Sequence, residues 1–173
     1  MSYIAKTKAL NIGLTDAGAI LLIFLVPALS HLTAVPFYLA DPMRLAVLGA
    51  LLITRNWKNS LALAVALPLV SFAISGHPVF PKCLVIAAEL SVNVLLFAWL
   101  AGRALKASSA AAGLIGLAAF ASILVSKIFY YGLKALVLSA GLLQMELVAT
   151  ALWIQLIVAL VISIAFGFLY KRN

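Results

Sequence analysis

The stretch Ser75-Gly76-His77-Pro78-Val79-Phe80-Pro81-Lys82, followed by the apolar run Cys83–Ala101 that carries Glu89 and Asn93, decides how the chain is read. On either side the sequence is almost entirely oily. A proline-broken loop here holds a histidine and a lysine. The helix predicted to leave it takes a carboxylate and an amide into an apolar run. Glu89 and Asn93 are four residues apart, so they share one helical face. An ionisable group at lipid depth is costly unless it faces protein or a watery cavity, which makes it a functional-site candidate. The stretch reads as one wall of a small-molecule pocket. The plainer alternative is that both side chains only tie helices together by hydrogen bonds.

Composition fixes the class. Of 173 residues, 66% are hydrophobic and 9% charged, and mean hydropathy is +1.24. Soluble domains carry about 25% charged residues. The chain reads as an all-α integral membrane protein, with 1–173 forming a single membrane domain. A formal charge of +8 fits cytoplasmic loops facing anionic lipid, and no basic run is interleaved with aromatics as nucleic-acid binding would require. The single cysteine, Cys83, can form no internal disulfide and has no metal-ligand spacing. Lys6 and Lys8 precede an apolar stretch, as in a signal peptide, but that stretch is long and lacks a small-x-small cleavage site, so it is expected to stay as the first span.

Six transmembrane helices are predicted, over about 10–30, 42–54, 60–75, 83–101, 110–131 and 147–170. The first would begin at Ala17 if Thr15-Asp16 capped it. The apolar piece between Lys134 and Glu146 spans only eleven residues and is expected to be a capping loop or re-entrant turn, a seventh span being the minor alternative. Six spans put the N and C termini in the cytoplasm. Lys6, Lys8, Arg55, Lys58, Arg103, Lys106, Lys171 and Arg172 then lie inside, against Arg44, Lys82, Lys127 and Lys134 outside, the bias of the positive-inside rule.

With that topology the reactive side chains gather near the outer connections. The candidate substrate-binding residues are His31, Arg44, His77, Lys82, Glu89, Asn93, Lys127, Tyr130 and Tyr131. Glu89 and Asn93 would meet donors on a ligand. His77, Lys127 and Arg44 would meet acceptors or a carboxylate, and the two tyrosines would pack on a ring. Both charge signs in one pocket point to a zwitterionic or heterocyclic ligand. The histidines could instead cap helices. Lys127 beside Ile128-Phe129-Tyr130-Tyr131 could be an interfacial cation in an aromatic belt. Asp16, toward the inner end of span one, is read as a capping residue. No His-Glu-x-x-His spacing, Gly-x-Ser-x-Gly, Ser/Lys dyad or Walker lysine loop occurs, so no metal ligand, catalytic residue or cofactor is assigned. Ala9, Gly13 and Ala17 recur every four residues, as in faces where another helix approaches closely, either within the chain or from a separate protein.

The chain resembles a substrate-binding S component of the energy-coupling factor (ECF) transporters. The likeness rests on length, six spans with both ends inside, a short second span after the outer loop Thr33–Pro42, and the small-residue spacing of the first helix. Gly76-His77-Pro78 with Glu89 and Asn93 also looks like members of that family. The resemblance implies a multi-pass protein of the prokaryotic cytoplasmic (inner) membrane that binds a small water-soluble vitamin or micronutrient near the outer face. It implies partners: a transmembrane coupling (T) subunit and two ABC ATPase subunits, which hydrolyse ATP while the S component topples. Ala9, Gly13 and Ala17 would face the coupling subunit, with Gly13 departing from the family's alanines. Such a subunit is not itself an enzyme. The rival readings are a structural or assembly membrane protein of the MreD type without a small ligand, and a metal-dependent membrane enzyme using His31, His77 and Glu89.

Overall fold

The computed structural model describes residues 3–34, 36–107, 111–148 and 150–172. Among them are six α-helices: α1 (Tyr3–Thr33), α2 (Pro42–Thr54), α3 (Trp57–Ser75), α4 (Phe80–Ala107), α5 (Ala111–Ser139) and α6 (Leu152–Arg172), with a single 3-10 turn at Phe37–Ala40 before α2. Five are long and apolar enough to cross a membrane. The protein is an all-α, multi-span membrane protein. The exception is α2, whose 13 residues reach about 20 Å against a hydrocarbon core of about 30 Å.

Helix α2 is short because its ends are set locally. Pro42 occupies the first turn, where its missing N–H costs nothing, and Arg55 closes the helix in the left-handed region (φ 52°). The next helix starts at once, since the Asn56 side chain accepts from the N–H groups of Lys58 (3.1 Å) and Asn59 (3.4 Å). Gly76 ends α3 with φ 69°, a conformation that suits glycine.

The helices form two apolar groups that share α2 and α4. Ala19 and Ile23 of α1 pack with Ala46, Val47 and Ala50 of α2, Leu63, Ala64 and Leu67 of α3, and Leu90 and Val94 of α4. On the other side, Leu48 and Leu51 of α2 pack with Phe97 and Ala101 of α4, Ile115, Ala119 and Ile123 of α5, and Ala159, Ile162 and Phe166 of α6. The short helix is thus wedged at the centre. Outward faces keep large apolar side chains exposed, among them Leu21, Leu95, Leu117, Ile128 and Phe168. Lipid solvates such faces as well as a protein interior would.

Several boundaries differ from the sequence expectation, among them the end of α4, which comes at Ala107 and not near 101. Helix α1 runs unbroken through Thr15-Asp16; Thr15 Oγ1 donates back to the Asn11 carbonyl (2.7 Å), and Asp16 accepts from the Asn59 side chain (2.8 Å) instead of capping anything. Helix α5 continues past Lys134 to Ser139. Its stop is Gly141 (φ 71°), where Leu142 N–H bonds to the Val137 carbonyl (3.1 Å) and Gly141 N–H to that of Leu138 (2.9 Å), a glycine-terminated helix end. Helix α6 starts at Leu152, not near 147, because the carbonyls of Glu146 and Leu147 turn away to meet Lys134 Nζ at 2.6 and 2.8 Å.

A polar cavity at one end of the helix bundle

The first residues of α2, α4 and α6, together with the second half of α5, surround a cavity of about 360 Å³. Apolar walls come from Leu39, Pro42, Ile86, Ile123, Val158 and Ile162, and polar groups converge between them. This is the usual build of a small-molecule site, mostly apolar with a few oriented polar groups.

The base of the cavity is an ion network. Arg44 enters from α2 and is 1% exposed. Its Nε donates to Asp41 Oδ2 (2.8 Å), one terminal nitrogen donates to Glu89 of α4, and the other donates to Asn93 Oδ1 (3.2 Å) and Ser126 Oγ (3.1 Å). Lys127 of α5 closes the ring, 3.0 Å from Glu89 Oε1 and 3.3 Å from Asp41 Oδ2. Two carboxylates and two cations therefore neutralise each other where bare charge would be costly. Asn93 lies beneath, donating through Nδ2 to Ser122 Oγ (3.0 Å). Local sequence puts each group in reach. Asp41 adopts a left-handed backbone (φ 53°) that a short polar residue tolerates, and its carboxylate goes to the network while its carbonyl accepts the Leu45 N–H (3.1 Å). Burial disfavours the Asp41 charge, but Arg44 and Lys127 outweigh it and hold the carboxyl well below the usual range.

Above the network stand the tyrosines. The Tyr130 and Tyr131 rings meet edge to face, 5.2 Å apart. Lys127 and Lys134 approach the Tyr130 ring centroid at 5.5 and 5.8 Å. The Tyr131 hydroxyl accepts from Gln155 Nε2 at 2.6 Å, and the same nitrogen donates to the Thr150 carbonyl at 2.7 Å.

The nine sequence candidates separate. Arg44, Lys82, Glu89, Lys127, Tyr130 and Tyr131 line the cavity, and Asn93 lies buried behind Arg44. His31 and His77 are exposed and do not line it. Among the described residues the His77 side chain caps no helix; its backbone carbonyl instead accepts from Ser71 (2.7 Å) and Ser75 (3.0 Å), folding the loop. Lys127 is an ion-pair partner, not a free interfacial cation. Among the described residues, no three His, Cys, Asp or Glu side chains come together as a metal site would require.

Five contributing residues were not among the candidates: Asp41, Lys134, Gln155, Ser122 and Ser126. The serines had a signal, since they sit four apart on one face of an apolar helix. Gln155 had one too, as an amide inside the last apolar run.

The small-residue face of α1 is open. Ala9, Gly13 and Ala17 are exposed, and a Cβ built at Gly13 would meet nothing within 4 Å. Among the described residues, packing within the chain therefore does not explain that spacing.

Comparison of the chain with protein-family models, with curated proteins and with solved structures gave no match.

Proposed function

We propose that this protein is the substrate-capture subunit of an ECF-type importer in a prokaryotic cytoplasmic membrane. Both termini face the cytoplasm, and the cavity opens to the outside. The observation that carries this reading is the cavity itself, about 360 Å³ and lined at one bundle end by side chains from α2, α4, α5 and α6. A body built only to brace other proteins has no need to gather buried charge around an open space. The cavity suits a vitamin-sized ligand, with Tyr130 and Tyr131 offering ring faces and the Tyr131–Gln155 pair offering polar atoms. The exposed Ala9, Gly13 and Ala17 face on α1 supports docking of a coupling subunit, since small residues let helices approach closely. ATP hydrolysis would belong to partner subunits, the chain having no Walker lysine loop.

The test is thermal unfolding of the purified protein against a panel of water-soluble vitamins, with native mass spectrometry of what co-purifies. A true ligand at 100 times its Kd stabilises by about 2.7 kcal/mol. If no compound stabilises and no small molecule co-purifies, the capture reading fails and the structural MreD-type reading takes its place.

A further inference from the structure

The cavity does not balance its charges. Four cations line it, Arg44, Lys82, Lys127 and Lys134, against two carboxylates, Asp41 and Glu89. Both carboxylates are engaged by Arg44 and Lys127. Lys82 and Lys134 are left over, and among the described residues neither has a carboxylate within ion-pair distance. Lys134 is 2% exposed. Its partners are the neutral carbonyls of Glu146 and Leu147 and the face of the Tyr130 ring. Lys82 lines the same cavity.

A buried ammonium held by carbonyls and a ring face, with no carboxylate in contact, keeps a net positive field. A second lysine on the same wall strengthens that field. Pockets with one dominant sign of charge and low-dielectric walls concentrate ligands of the opposite sign. An amine would meet two unpaired ammoniums and find both carboxylates already engaged.

From this we propose, building on the capture reading, that the ligand carries an anionic oxygen group, a carboxylate or a phosphate. That group sits between Lys82 and Lys134, and the ligand's ring lies along Tyr130 and Tyr131. This refines the expectation of a zwitterionic or heterocyclic ligand. Glu89 does not repel an anion here, because Arg44 and Lys127 already neutralise it. The same chemistry could be presented by a soluble molecule or by a lipid headgroup, so the test must distinguish them.

The probes are benzoate, benzamide, benzylamine and inorganic phosphate, each at millimolar concentration, added to the protein in nanodiscs of neutral phosphatidylcholine. Thermal unfolding is read with and without each. Benzoate is expected to raise the Tm and benzamide and benzylamine to leave it unchanged. Lys82→Gln is expected to weaken benzoate binding at least tenfold. Lys82 makes no ion pair among the described residues, so this change leaves the fold intact where Lys134→Gln would loosen the loop after α5. Lys58→Gln, on an exposed position outside the cavity, is the control and is expected to bind benzoate as the parent does. Stabilisation by benzylamine or benzamide in place of the anions overturns the inference and leaves capture standing. So does stabilisation by a neutral or cationic vitamin when neither benzoate nor phosphate has any effect. Failure of every probe and every vitamin contradicts both. Stabilisation only when phosphatidylglycerol replaces phosphatidylcholine supports the anion subsite and contradicts capture of a soluble ligand.

Discussion

Replacing Arg44 with methionine is expected to lower the protein's unfolding free energy by about 3–5 kcal/mol. Methionine keeps most of the side-chain volume, so the loss is not a packing defect. What changes is the charge count at the cavity base. Asp41 and Glu89 would share Lys127 alone, at 3.3 and 3.0 Å, and Asn93 Oδ1 and Ser126 Oγ would each lose a donor. A carboxylate as buried as Glu89, 3% exposed, cannot recover the lost partner from water. Unfolding by sodium dodecyl sulfate in mixed micelles reads the difference. Lys58→Met, on an exposed position, is the comparison and should stay within about 0.5 kcal/mol of the parent. A loss under about 1 kcal/mol for Arg44→Met would mean that the network does not hold in the bilayer.

The second expectation is that Glu89→Met rescues Arg44→Met. Each single change strands a buried charge, whereas the double change removes a matched pair and leaves Asp41 facing Lys127 one to one. Replacing a buried pair by apolar groups of like volume is often neutral or stabilising. The two single losses should therefore fail to add by about 2–3 kcal/mol, near the upper end for directly contacting residues. Strict additivity would show that the Arg44–Glu89 contact is not energetically coupled. The double variant has a further use. It keeps the fold but removes two cavity-lining side chains, so its ligand affinity separates a binding role of the Arg44–Glu89 pair from a purely structural one. Glu89→Ala alone cannot separate them, because it leaves the Arg44 guanidinium without its α4 carboxylate.

The sequence made the class and the helices legible because hydropathy is a summed property that tolerates local error. It also made Glu89 and Asn93 legible, since a carboxylate and an amide in an oily run are conspicuous. Pairing was harder to read. Arg44 and Glu89 are 45 residues apart, and only the wedged position of α2 brings them together. The same lack of contact information misplaced the end of α5. Lys134 reads as a boundary when its neighbours are unknown, yet the carbonyls of the following loop satisfy it inside the helix, and the stop comes at Gly141. The histidines differ in the opposite direction. They are chemically suggestive, but the end of α1 that carries His31 and the loop that carries His77 leave them exposed, away from the cavity lining.

The fold and the network stand whichever way the cavity faces, but capture of a nutrient requires that it meet exterior water. The direct measurement is cysteine labelling in intact cells. Cys83, buried and the only cysteine, is first replaced by alanine. Lys82→Cys then places a thiol on the cavity wall, and Lys58→Cys in a separate variant places one at the start of α3, where α2 hands the chain on. A membrane-impermeant maleimide is expected to label position 82 without permeabilisation and position 58 only after it. Labelling of position 58 from outside, with position 82 protected until the membrane is opened, would contradict the account.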